Sequence, residues 1–387
     1  MVSSDTDQIL IVAGEASGDL HGGHLVRALK TQQPQLKFEG VGGKHMQEAG
    51  VSTLYDISRM GGMGLFEYVS SLWHHLQVYR KLSREIAKGK YRAAILINYP
   101  FFNLKLAKVC KQWNCPALFY ISPQVWASRK GRVNTIRESV SKMYVILPFE
   151  EEIFREARVD VEYLGHPFID IVKSKLSRDE ALKEFGLDPA VKTVGLLPGS
   201  RMSEVNYLLD DMVSAAGIIQ KDLGQCQFLL AVADSIDPEL IRKRLGENPL
   251  GIKVLTGRNY EVMNCSDSLI MASGSSTLEA GLFTVPMVII YKVHPLTYFI
   301  VQFFLHITYF GLINIVAGDE VVPELLNEQV TPERIAAETL KVLKDPEQAR
   351  AVKEKLQKVR ESLGKPGVVP RIARSMADSM NLSTGPQ

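Results

Sequence analysis

The sequence predicts an α/β protein built from two Rossmann-like, doubly wound domains, residues 1–166 and 167–387, facing across a cleft. Three observations predict it. Short apolar runs alternate with helical stretches through both halves of the chain. Several of those runs lead straight into a glycine-bearing turn and a helix start. A Gly-His-Pro turn, Gly165–Pro167, interrupts the alternation near the middle. Strands that are apolar at every position, rather than at every second one, belong to parallel sheets covered on both faces.

In the first half, QILIVAG (Gln8–Gly14) reads as a buried strand. It is followed by glycines 14, 18 and 22 and a helical pattern through Leu25 and Leu29. AAILIN (Ala93–Asn98), ALFYIS (Ala117–Ser122) and KMYVIL (Lys142–Leu147) read as further strands, with helical stretches such as LKLAKVCKQW between them. The second half repeats the logic. TVGLLPGSR (Thr193–Arg201) is a strand ending in a glycine turn, with a helix from about Ser203. QFLLAVA, IKVLTG, SLIMASGSSTLEAG and VPMVIIYK carry the alternation to Lys292. From Thr331 the chain turns Lys/Glu-rich and helical, and its terminal helices are expected to pack back toward the first domain.

Composition sets outer bounds. In 387 residues, 45 Lys and Arg oppose 43 Asp and Glu, a net charge of +2, and 46% of residues are hydrophobic. These values exclude a disordered chain, a collagen-like fibre and a polytopic membrane protein, and they argue against a nucleic-acid partner. Cys110, Cys115, Cys226 and Cys265 form no CxxC pair, so reduced, buried thiols in a cytoplasmic protein are expected. His21 and His24 have metal-ligand spacing but no evident third ligand, and no metal is expected. The opening residues, MVSSDTDQ, carry neither a basic leader nor an apolar signal core.

Three turns carry chemistry. GEASGD offers backbone that a ligand can approach, but Glu15 and Asp19 would repel a pyrophosphate. Carboxylates there suit hydroxyl groups, as acceptors or as a general base; alternatively Ser17 or Asp19 simply caps the following helix. In LLPGSR, Arg201 near a helix start can bridge phosphates, or it can pair with Glu204 on the helix surface. In ASGSSTLEAG, residues Ser273, Gly274, Ser275, Ser276 and Thr277 offer backbone and hydroxyl donors, and Glu279 could accept from ribose hydroxyls. Two anion-ready strand–helix turns in one domain point to a nucleoside diphosphate.

GEASGD, SPQVWA (Ser122–Ala127), LPFE (Leu147–Glu150), GHP, LLPGSR, ASGSSTLE and AGDEVVPELL (Ala317–Leu326) occur in that order. In this series the chain resembles the lipid-A-disaccharide synthases, over about residues 8–375. The resemblance implies a two-domain GT-B glycosyltransferase fold. It implies inverting transfer of a diacylated glucosamine from UDP to a diacylated glucosamine 1-phosphate, with no metal and no cofactor beyond the UDP-sugar. It also implies that Ser200, Arg201, Ser275, Glu279 and Asn314 line the donor site, and that Glu15, Ser17, Asp19, Gln124 and Trp126 line the acceptor side.

One departure bears on mechanism. The family pattern Asp-x-Pro-Asp-Phe-Asn reads here as NYPFFN, with Asn98 and Phe101 at the acidic positions. An amide accepts no proton from an attacking hydroxyl at neutral pH. Glu15 or Asp19 then serves as base, or Asn98 only orients the acceptor, or the chain is a weakened relative. A UDP-N-acetylglucosamine 2-epimerase-like enzyme and a non-catalytic lipid-binding paralogue remain as alternatives.

Two apolar stretches bear on the membrane. Leu65, Phe66, Val69, Leu72 and Trp73 form a widened apolar stripe on a predicted helix. Residues 80–142, which follow it, hold fourteen Lys and Arg against two Glu, a charge of +12. Apolar anchors beside a basic surface suit peripheral docking to an anionic membrane, here the inner face of a Gram-negative cytoplasmic membrane. Residues 293–318 contain no Asp, Glu, Lys or Arg, but His, Pro, Gln and Asn interrupt them, so a buried or acyl-facing helix is expected rather than a spanning one. A homodimer is among the expected assemblies.

Overall fold

The computed structural model describes residues 7–57, 65–123, 132–292 and 308–381, and the side chains of 65–72 and 132 are left aside. The chain divides into two compact units, Met1–Ile171 with Leu363–Gln387, and Val172–Ser362. The sequence placed its boundary at 166/167; the division falls at 171/172, and the last segment of the chain returns to the first unit.

The first unit holds seven parallel strands: β1 (Gln8–Ala13), β2 (Lys37–Gly42), β3 (Ser52–Asp56), β4 (Ala93–Ile97), β5 (Ala117–Tyr120), β6 (Lys142–Val145) and β7 (Val161–Tyr163). Their order across the sheet is β3-β2-β1-β4-β5-β6-β7. β4 is buried at every position and β1 at all but its first, as their unbroken apolar runs require. Ala13 lies opposite Ile97, so these two central strands end side by side. Apolar side chains cover both faces of the sheet. One cover includes the helix Val368–Ser379, which buries Ile372, Ala373 and Met376. Asp170 fastens the start of that helix by accepting from the backbone N–H groups of Gly367 and Val369, at 2.7 and 2.8 Å.

The second unit repeats the plan with β8 (Thr193–Leu197), β9 (Gln227–Val232), β10 (Lys253–Thr256), β11 (Ser268–Ala272), β12 (Met287–Tyr291) and β13 (Glu324–Leu326). All are parallel, in the order β10-β9-β8-β11-β12-β13. In both sheets the winding reverses beside the first strand, at β1/β4 and at β8/β11. Connections leave in opposite directions there, which opens a crevice at the carboxyl ends of those strands.

The predicted helix carrying the Leu65–Trp73 stripe is the helix Leu65–Ala87. Of the charge-free run, residues 293–307 lie outside the described residues. The part that is described contains only the short helix Leu312–Ala317. Among the described residues, no helix is long and apolar enough to cross a membrane.

His21 and His166 are both buried in the first unit, with Phe168 packed against each ring. His166 Nδ1 accepts from the Phe168 N–H at 3.1 Å, so the neutral ring carries its proton on Nε2. Burial, and then the charge of His24, lowers the His21 pKa to about 4; burial and His21 push His166 well below the usual range. The folded protein therefore resists protonation that the unfolded chain accepts near pH 6.5. Stability is full above that pH and falls as pH drops toward 4. His21 alone is expected to remove about 2 kcal/mol between pH 7 and pH 5. Urea unfolding at the two pH values should show that loss, and His21→Asn should shrink it.

Candidate active site

At the first switch point the chain after β1 passes through Gly14 to Glu15, the N-cap residue of the helix Ala16–Gln32. Glu15 and Ser17 are exposed, and neither bonds the helix end. Asp19, one turn further on, is buried. Its carboxylate accepts from the backbone N–H groups of Gly43, His45 and Met46 at 2.7, 2.9 and 3.1 Å. Asp19 thus closes the N-terminus of the neighbouring helix Lys44–Glu48, not that of its own, and its carboxylate is buried there.

After β4, Asn98 and Tyr99 both adopt left-handed backbone, φ 45° and 51°, before Pro100 starts the helix Pro100–Gln112. Asparagine tolerates that conformation better than most residues. The buried Asn103 ties the turn down through Nδ2, which donates to the carbonyls of Ile97 and Asn98 at 3.1 and 2.8 Å. The Tyr99 ring lies so close on Gly14 that a Cβ there would sit 2.3 Å from it, which explains the glycine. Tyr99 Oη and His75 Nε2 share a hydrogen bond of 2.5 Å. That contact at Gly14 brings the next residue, Glu15, beside the Asn98–Tyr99 turn, and burial and then the Glu15 charge raise the Tyr99 pKa. Phe101 is 65% exposed beside them.

Ser122 is also drawn inward, donating to the buried Glu150 Oε1 at 2.5 Å, while Glu150 Oε2 accepts from the Leu147 N–H. Gln124 and Trp126 lie outside the described residues.

At the second switch point Gly199 takes φ 112°, and a Cβ on it would collide with Glu204. The Glu204 carboxylate accepts from the N–H groups of Ser200 and Arg201 and pairs with the Arg201 guanidinium at 3.3 Å. Of the two readings the sequence left open for Arg201, the pairing with Glu204 is the one present in the structure. The Arg201 side chain is 78% exposed, and an exposed pair of this kind is worth little, so the guanidinium can turn to a phosphate.

After β11, Ser273 Oγ donates to the Phe310 carbonyl and Thr277 Oγ1 to the Gly274 carbonyl, both at 2.8 Å, so these hydroxyls serve the turn itself. Gly274 and Ser275 are exposed and Ser276 half-buried, which leaves them facing outward from the turn. Glu279 is sunk deeply enough that burial raises its pKa to about 7. Asn314 is fully buried. Its amide nitrogen donates to Val322 O and Glu324 Oε1, and its oxygen accepts from the N–H groups of Val321 and Val322. Its expected place lining the donor site is corrected: the side chain is saturated by the protein. Glu324, which the sequence did not single out within AGDEVVPELL, also accepts from the Phe310 and Gly311 N–H groups and so shapes the segment beside the turn.

Two doubly wound parallel sheets with small-residue turns at their switch points fit the GT-B fold. Comparison with known proteins agrees. The profile described as lipid-A-disaccharide synthetase matches residues 9–370. The lipid-A-disaccharide synthase of Syntrophus aciditrophicus is 44% identical over 366 residues, covering 94% of this chain and 96% of that protein. Among solved structures, the UDP-GlcNAc 2-epimerase of Neisseria meningitidis bound to UDP-GlcNAc superposes with a TM-score of 0.63 at 10% identity, covering 96% of this chain and all of that one. The calicheamicin glycosyltransferase CalG4 gives 0.62 at 12%, covering 98% and 99%. The chain belongs to the lipid-A-disaccharide synthase family, whose members are UDP-dependent glycosyltransferases of lipid A biosynthesis.

Removing the Asp19 carboxylate strands buried backbone donors. Asp19→Ala is expected to destabilise the fold by about 3 kcal/mol, read as a lower urea midpoint at unchanged slope.

Proposed function

We propose that the protein moves a 2,3-diacylglucosamine unit from UDP to a hydroxyl of 2,3-diacylglucosamine 1-phosphate, with inversion, giving lipid A disaccharide 1-phosphate and UDP. Family membership supports the reaction class, and the observation that carries the assignment of roles is the contrast between Glu15 and Asp19. The family's usual carboxylate position holds Asn98, and Asp19 is enclosed by three N–H groups. Glu15 is the carboxylate that stays exposed beside the Asn98 turn. Glu15 takes the proton of the attacking hydroxyl while the new C–O bond forms and the bond to UDP breaks. Asn98 and Ser17 orient the acceptor.

On the donor side, Arg201 with the turn Ser273–Thr277 stabilises the charge that develops on the leaving diphosphate. Ser200 shapes the Arg201 turn, and Glu279 accepts from the ribose hydroxyls. Acylated substrates require access to a lipid surface. The helix Leu65–Ala87 offers it, with Trp73 60% exposed and Leu76 beside it, followed in sequence by the +12 segment. The protein docks peripherally on the inner face of the cytoplasmic membrane of a Gram-negative bacterium.

Four measurements test this. UDP release should depend on adding acylated glucosamine 1-phosphate; release without acceptor, or none at all, would point to an epimerase-like enzyme or a binding paralogue. Glu15→Gln should lower kcat at least a hundredfold and Asn98→Ala far less, and equal losses would remove Glu15 as base. Because ionised Glu279 is the form that accepts ribose hydroxyls, uridine affinity should fall about tenfold from pH 8 to pH 6 and lose that dependence in Glu279→Gln. In a flotation assay at low salt, the protein should rise with anionic liposomes, and Phe66→Ser with Trp73→Ser should abolish it.

A further inference from the structure

We propose that Tyr291 is a ligand of the donor's diphosphate, its phenol O–H donating to a phosphate oxygen alongside the Arg201 guanidinium. The proposal rests on reading this edge as the UDP site. Tyr291 is the last residue of β12, the strand next to β11, whose end launches the Ser273–Thr277 turn. The Ser273 N–H bonds to the carbonyl of Ile290, so Tyr291 stands directly beside that turn. β8 lies on the far side of β11, and the turn that follows it carries Arg201 and Glu204. The charges of both reach the phenol.

Two features hold it there. The ring stacks on Phe310 with centroids 5.6 Å apart and planes 29° apart. Phe310 is fixed in turn, its N–H donating to Glu324 and its carbonyl accepting from Ser273. The adjacent Lys292 pairs with Asp211, on the same helix as Arg201. The phenol itself makes no hydrogen bond among the described residues. A half-buried hydroxyl held beside the Ser273–Thr277 turn, with no hydrogen-bond partner among the described residues, suits a ligand that brings acceptor oxygens. Burial and Glu204 raise its pKa, with Arg201 opposing, so the group is a protonated donor at neutral pH.

Calorimetric titration of the full chain with UDP and with uridine tests the assignment. The wild-type protein should bind UDP more tightly than uridine. Tyr291→Phe keeps the ring on Phe310 and removes only the hydroxyl; it should weaken UDP about tenfold and leave uridine within twofold. UDP affinity within twofold of wild type would overturn the proposal, as would an equal loss for uridine, which would mean that the residue supports the nucleoside or the fold. Should the wild-type protein bind UDP no better than uridine, the reading of this edge as a diphosphate site would itself fall, whatever the variant does.

Discussion

The reversal of winding in a parallel sheet is the constraint on which the rest of this structure depends. Where neighbouring strands send their connections to opposite faces, no helix or loop can cover the strand ends between them. β1 and β4 end in register, β8 and β11 within one residue of each other, and each pair opens one such edge. The functional turns are there because backbone is exposed there. Their small residues follow from the same cause: Gly14 must accept the Tyr99 ring at contact distance, and Gly199 must leave room for Glu204.

An open edge gains access and loses support, so buried and half-buried polar groups have to hold its turns in place. Asp19 binds three N–H groups of the adjoining loop, Asn103 two carbonyls of the β4 turn, Glu204 two N–H groups of the Arg201 turn, and Asn314 with Glu324 the segment beside Ser273. Leaving a buried group of this sort unsatisfied is costly, so Asp19, Asn103 and Asn314 serve the fold by holding these turns. Much of the recognisable motif pattern is internal scaffolding. The outward-facing remainder, Glu15, Ser17, Gly274, Ser275 and the exposed Arg201, is smaller than the motifs themselves.

That distinction marks what could be read in advance. The central strands were legible because burial on both faces leaves an unbroken apolar run, as in ILIVA and AAILI. β2 and β3 were not, since KFEGVG and STLYD mix charge, glycine and polar residues toward one side of the sheet, where one flank is less enclosed. β7 and β13, with three residues each, are too short to show a pattern. The switch-point turns were legible from glycine and helix starts. Which way a motif side chain faces was not: Asp19 and Glu15 are four residues apart on one segment, one enclosed and the other exposed, and only the position of the loop at Gly43 decides it. Glu324 and Tyr291 escaped notice because their roles come from neighbours far away in sequence.

The Asn98 turn shows how structure and chemistry separate at one position. Both Asn98 and Tyr99 occupy left-handed backbone, a demand that aspartate and asparagine meet about equally well. Exchange between the two therefore preserves the turn, its N–H to Tyr120 and the Asn103 bonds beneath it, while removing a proton acceptor. Phe101, exposed at the second acidic position of the pattern, leaves that part of the edge without a carboxylate as well. A fold kept intact around a changed side chain moves the requirement for a base onto whatever carboxylate still faces outward. On this edge Glu15 is the exposed carboxylate proposed for it, whereas Asp19 could not serve without releasing three backbone N–H groups into a buried site.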